Sequence, residues 1–300
     1  MCVECKVKLR NKCAQSKLLP VLPAMISVRV LKLVLVLAAA FCVAGFLSSF
    51  SSSKPKQLAG WNAHNPSGTK PIDHSVWNGI LKKYVRGSKS GVNRFAYGKV
   101  SAADRKALKA YIAKMGKVNI AKKSRKVQLA YWINLYNAAT VDVVLDHYPV
   151  KSIRDIDISG AFSNGPWKKK FIKVRGKLLS LDDIEHGILR PIWRDARIHY
   201  GVNCASIGCP NLQRVAYTGK TVDKMLTKGA RDYVNSSRGL SVKNGKVTVS
   251  KIYEWFAYDF GNSEKGVIKH LLKYAGPKKA AALKKAGRIH KTRYDWSINK

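Results

Sequence analysis

His199, Cys204 and Cys209 recur at five-residue intervals within Arg197-Ile-His-Tyr-Gly-Val-Asn-Cys-Ala-Ser-Ile-Gly-Cys-Pro-Asn-Leu212. A thiol becomes a nucleophile when a base or a positive environment turns it into thiolate, and a helix start supplies such an environment. Cys209, beside Pro210 at an expected helix start, is therefore the first candidate nucleophile, with Cys204 the second. His199 would act as base, Glu185 or an asparagine would orient it, and His186 is a further candidate of the same site. The same types allow two other chemistries. His199, Cys204 and Cys209, with His186 or Glu185, offer zinc ligands at a compatible spacing. A Cys204–Cys209 disulfide would instead staple the loop in an oxidising compartment and leave the histidines as core residues.

The elements that must position these groups are readable in outline. Ile198, Tyr200 and Val202 alternate with His199, Gly201 and Asn203, the pattern of a strand that runs into a loop of small residues. Upstream, Ser180 and Asp183 open a capped helix that carries Glu185, His186 and Arg190. The longest helix is expected over 124–147, stopped by Pro149, with apolar residues around more than half its circumference. Asn134 and Asn137 sit one turn apart within it. A buried unpaired amide costs on the order of 1–3 kcal/mol, so each is expected to hold a loop or a catalytic side chain.

Around this centre the chain reads as helices first and hairpins mixed with helices afterwards. Helices are expected from Asp73, from Ser101, over 221–234, from Ser250, and from Ser263 to Gly276-Pro277. Hairpins are expected over 171–179, turning at Gly176, and over 240–249, turning at Asn244-Gly245. Residues 288–296 read as a strand. The fold class is α+β, a single domain with the long helix packed on a small antiparallel sheet.

The charge is extreme, with 56 basic against 17 acidic residues in 300. Seven basic residues and Glu4 lie in the first fifty, leaving 49 against 16, a net +33, over 51–300. Such a field favours anionic partners, namely acidic envelope polymers or anionic lipid head groups. The cations are scattered as Lys-Lys pairs without a dense block, which argues against specific nucleic-acid recognition.

Residues 33–53 contain no charge, and their apolar part, 33–47, suits the core of an export signal better than a full membrane span. With Arg29 and Lys32 before it, the run directs the rest of the chain out of the cytoplasm. The expected organisation is an upstream extension or cytoplasmic tail over 1–24, with translation starting at Met25. A signal peptide or single membrane anchor follows over 25–53, then a linker or extended arm over 54–71 and a globular domain over 72–300. Cys2, Cys5 and Cys13 lack a fourth ligand for a metal site, and Cys42 follows Phe41, which disfavours lipidation.

Tyr131-Trp-Ile-Asn-Leu-Tyr-Asn-Ala138, Tyr148-Pro-Val-Lys-Ser-Ile153, Ser180-Leu-Asp-Asp-Ile-Glu-His186 with Arg190, Arg197-Ile-His199 and Asn203-Cys-Ala-Ser206 with Gly208-Cys-Pro210 resemble the bacterial and plant family catalogued as domain of unknown function 547. The resemblance runs from about Val76 to Tyr294-Asp-Trp-Ser-Ile-Asn299. It brings no established activity with it. The cysteine–histidine set on a central helix also loosely resembles papain-like or transglutaminase-like hydrolases in permuted order, since histidine here precedes cysteine. Three readings stay open: an exported binding module, a cysteine hydrolase or acyltransferase, and a zinc site.

Overall fold

A helix that is apolar all round must be covered all round. In the computed structural model, which describes residues 50–160 and 164–300, the long helix meets that demand: every residue from 127 to 141 is buried. The expectations placed on residues 1–49 lie outside the described residues.

Residues 51–71 run as an arm without helix or strand, tied down where the Leu58 N–H donates to the Gly187 carbonyl (2.8 Å) and where Trp61 is buried against Trp132. The chain then forms α1 (Ser75–Tyr84), the short pair β1 (Val85–Arg86) and β2 (Arg94–Phe95), and α2 (Ala102–Gly116). The Ser101 hydroxyl caps α2 by accepting from the Asp104 N–H. The central helix is α3 (Arg125–His147). A hairpin follows, β3 (Ile172–Val174) and β4 (Lys177–Leu179), turning through Arg175 and Gly176 at φ 50° and 81°. Two adjacent positive φ values make this a type I′ turn.

Next, a reciprocal cap between Ser180 and Asp183 opens a helix. It widens into a π-helix over Asp183–Leu189 and tightens into α4 (Arg190–Trp193). A 3-10 turn, Ala196–Tyr200, precedes the cysteine loop. Then come α5 (Val222–Asn235), β5 (Leu240–Lys243) and β6 (Lys246–Ser250) about the Asn244-Gly245 turn, and α6 (Ile252–Trp255) with a 3-10 turn Ala257–Phe260. Helices α7 (Glu264–Tyr274) and α8 (Pro277–Ala286) and strand β7 (Lys291–Arg293) complete the order. Among the described residues no helix is long and apolar enough to cross a membrane.

Three expectations need correction. The central helix does not rest on one antiparallel sheet. There are three small sheets, β7 joins β6 in parallel, and α3 packs chiefly on α2, the π-helix and α5. Strands of two to five residues cannot cover a helix buried on every side. The stretch 197–203 is not a strand. Asp195 accepts from the Arg197 N–H and grips its guanidinium (2.6 Å), which winds the chain into the 3-10 turn. Its alternation carried no face information, because His199 and Asn203 are as buried as Ile198 and Tyr200. Finally, Gly276-Pro277 ends one helix and also starts another, with proline at the first position of α8, where its missing N–H costs nothing.

Both asparagines of α3 hold loops. Asn134 clamps the Tyr217 peptide, donating to its carbonyl (2.8 Å) and accepting from its N–H (3.0 Å). Asn137 donates to the Gly201 carbonyl (2.9 Å) and accepts from the Asn203 N–H (2.8 Å). Asn134→Leu or Asn137→Leu orphans two buried backbone groups and is expected to cost more than about 1 kcal/mol. Urea melts superimposable on wild type would refute the clamp.

Candidate functional site

Four segments knit the loop 203–209. Asn203, fixed by Asn137, donates to the Pro210 carbonyl (2.7 Å) and accepts from the Ala205 N–H (2.9 Å). Ala205 is thereby held at φ 59°, in the left-handed region that costs a non-glycine residue on the order of 1–2 kcal/mol. The segment 294–299 runs alongside. Ile207 N–H donates to Ser297, Gly208 N–H to Asp295 and Asn299 N–H to Ala205, at 2.7–2.9 Å. A Cβ on Gly208 would stand 2.7 Å from the Asp295 nitrogen, so this approach needs glycine. From the other side the Arg238 guanidinium takes the carbonyls of Ile207 and Cys209.

This scaffold presents two free thiols 3.2 Å apart. Cys204 is half-buried, while Cys209 is 6% exposed. The Cys204 sulfur lies 3.2 Å from the Ser206 hydroxyl and 3.1 Å from that of Tyr294, and those two hydroxyls are 2.9 Å apart. The Cys209 thiol, against the cost of burial, and then Ser206 and Tyr294 hold the Cys204 thiol down at about 7. Burial, and then the neighbouring Cys204, push Cys209 well above its ordinary range. Of the two thiols, Cys204 is the more exposed and the one whose thiolate its neighbours favour. The helix start expected at Cys209-Pro210 is absent, because residues 209–213 form no helix.

The histidine serves elsewhere. His199 Nε2 lies 2.7 Å from Asp259 Oδ2, and Nδ1 lies 3.7 Å from Glu185 Oε1. Burial would lower its pKa, but the Asp259 and Glu185 carboxylates outweigh that and raise it. Burial likewise opposes ionisation of Glu185. His186 and then His199 overcome it and bring the carboxyl to about 2. Arg190 completes the group, with Nε on Asp259 Oδ2 (2.5 Å) and Nη1 3.3 Å from His186 Nδ1. Phe256 stacks on the His199 ring at 4.4 Å and receives the Arg190 guanidinium at 4.8 Å. Two cations and two carboxylates thus cancel in a buried row.

The expected candidates share one neighbourhood. Glu185, His186, His199, Cys204 and Cys209 all line a cavity of about 330 Å³. They do not form the expected dyad. Among the described residues the polar side chains on the Cys204 sulfur are those of Cys209, Ser206 and Tyr294, and His199 is occupied by carboxylates. Nor do His199, Cys204 and Cys209 converge as zinc ligands would. Among the described residues no group of three His, Cys, Asp or Glu side chains is placed to hold a metal. Asn203 bonds within the cysteine loop, and Arg190 bonds to Asp259 beside His199.

Sequence reasoning missed Asp259, Tyr294 and the cavity's aromatic wall of Trp167, Trp255, Trp296 and Phe256. The signals were present. Asp259 is a lone acid in the aromatic run Trp255-Phe-Ala-Tyr-Asp-Phe260 of a chain poor in acids, and Tyr294 opens the terminal Tyr-Asp-Trp motif.

The charged row makes stability depend on pH. A raised His199 pKa stabilises the fold fully below the ordinary 6.5, and that contribution is lost as pH rises through the raised value. A Glu185 pKa of about 2 stabilises above the ordinary 4.5 and is lost as pH falls toward 2. Wild-type stability is expected to decline on the alkaline side of this window, and His199→Gln is expected to lack that decline. Parallel stability–pH curves for the two proteins would show that His199 is not charged in the fold.

No curated protein and no solved structure matches the chain. Residues 120–234, which carry α3, the π-helix, the cysteine loop and most of α5, match the family described as protein of unknown function, DUF547.

Proposed function

We propose that the protein is a cysteine-dependent hydrolase or acyltransferase in which Cys204 is the nucleophile. One observation carries the reading: a half-buried thiol, held at about 7 by three neighbouring donors, faces an aromatic cavity of small-molecule size. A substantial thiolate fraction then exists at neutral pH without a general base. The thiolate attacks the carbonyl carbon of an ester or thioester and expels the alkoxide or thiolate, and water or an amine cleaves the resulting thioester. Burial keeps the Tyr294 hydroxyl protonated well above its ordinary range, so it remains a donor beside the reacting carbon or leaving group. A permuted papain-like or transglutaminase-like core adds nothing to this reading, because no histidine touches the sulfur.

A second reading, a binding module, rests on the net +33 over 51–300. In it the same domain works outside the cytoplasm, exported through residues 25–53, and its surface cations grip acidic envelope polymer or anionic lipid. The two readings are compatible, since the charge concerns the surface and the thiol concerns the cavity.

The test uses the full chain with Cys2, Cys5, Cys13 and Cys42 replaced by serine. A small electrophile such as iodoacetamide is expected to label Cys204 with a pH midpoint near 7, and Tyr294→Phe and Ser206→Ala are expected to move that midpoint upward. Labelling no faster than that of free cysteine at neutral pH would end the enzyme reading.

A further inference from the structure

A nucleophilic thiol for acyl transfer has no need of a second thiol in contact with it. Here Cys209 lies 3.2 Å from the Cys204 sulfur, both thiols line the cavity, and Cys204 is the more exposed of the pair. We propose that Cys204 and Cys209 form a working redox couple, in which Cys204 attacks a small disulfide bearing a flat apolar group and Cys209 resolves the mixed disulfide. The proposal rests on Cys204 being the nucleophile and assigns the pocket a reaction class of its own, thiol–disulfide exchange.

The geometry supplies each requirement. The sulfurs stand 3.2 Å apart, so forming a bond of about 2.05 Å asks for roughly 1.2 Å of closure, within reach of side-chain rotation. Between them lie only Ala205, Ser206, Ile207 and Gly208, and the loop backbone is already fixed by Asn203, Arg238 and the 294–299 segment. The Cys204 N–H donates to the Cys209 sulfur at 3.1 Å, which stabilises negative charge there when Cys209 attacks. The asymmetry also sets the order of events. The more exposed thiol, with donors that favour its thiolate, meets the substrate first. The buried one stays protonated until a disulfide lies against it. Trp255, Trp296 and Phe256 offer flat apolar surface in the cavity that the two thiols line, which selects the substrate's flanking group.

The balance is complete. The Cys204 thiolate attacks one sulfur of R–S–S–R′, forms Cys204–S–S–R and releases R′–S⁻. Cys209 then loses its proton, attacks the Cys204 sulfur and releases R–S⁻, and one of the two departing thiolates takes that proton. Two electrons pass from the protein dithiol to the substrate, and an external thiol restores the reduced pair.

The experiment again uses the full chain with Cys2, Cys5, Cys13 and Cys42 replaced by serine, fully reduced, with dithiobis(nitrobenzoate) as an aromatic disulfide that releases a coloured thiolate. The expected result is two coloured thiolates per chain, no retained adduct, and a mass lower by two hydrogens. Cys209→Ser and Cys209→Ala are expected to release one thiolate and keep the adduct on Cys204. Cys204→Ser is expected to slow release on the order of tenfold or more. A retained adduct on the Cys209-containing chain, with Cys204 labelling fast, would overturn the redox couple and leave the nucleophile reading standing. Release from Cys204→Ser as fast as from its parent would overturn both. The Cys209-containing chain's stoichiometry decides the matter even where a variant folds poorly.

Discussion

The buried row Glu185–His199–Asp259–Arg190 is the constraint on which the site depends. Ionised groups out of water cost several kcal/mol each unless their partners lie close, and removing one member of such a set typically costs 3–5 kcal/mol. The four residues belong to three segments that share no backbone ladder: the π-helix and its α4 continuation, the 3-10 turn before the cysteine loop, and the 3-10 turn after α6. Charge neutrality therefore does the joining that a sheet would do elsewhere. It also places Phe256 flat on His199, with Trp255 next in the chain, so the cavity's aromatic wall follows from the same pairing. His199 contributes to the site as a buried cation that fixes walls.

The other constraint is the amide pair on α3. A helix buried through 127–141 has no solvent face on which to place polar residues, so each amide there must find protein partners. Asn137 finds them on both sides of Val202, and Asn203 passes the restraint on to Ala205 and Pro210. A rigid helix thus governs the backbone on which the thiol sits.

Much of this was legible in the sequence, for local reasons. Ser101, Ser180 with Asp183, and Asn244-Gly245 act within three or four residues, so caps and turns could be read directly. The loop-holding role of Asn134 and Asn137 was legible because an interior asparagine has few other uses. What failed depended on distant partners. The strand expected over 197–203 was undone by Asp195 and by burial on both sides, and periodicity reports neither. The surroundings of the Cys204 sulfur include Tyr294, ninety residues away, and Ser206, whose hydroxyl had no visible task until the loop was folded. Asp259 was hidden for the same reason, sixty residues from His199.

The contacts that close the cysteine loop span long stretches of chain. Asn299 bonds to Phe95 and Tyr97, across about two hundred residues, and also to Ala205 and Asn203. Loop-closure entropy makes such pairings late events in folding. Until they form, Cys204 lacks the Tyr294 hydroxyl and the held backbone around it, and it remains an ordinary thiol. In a chain caught half-assembled, Cys204 therefore lacks the neighbours that the finished fold sets around its sulfur.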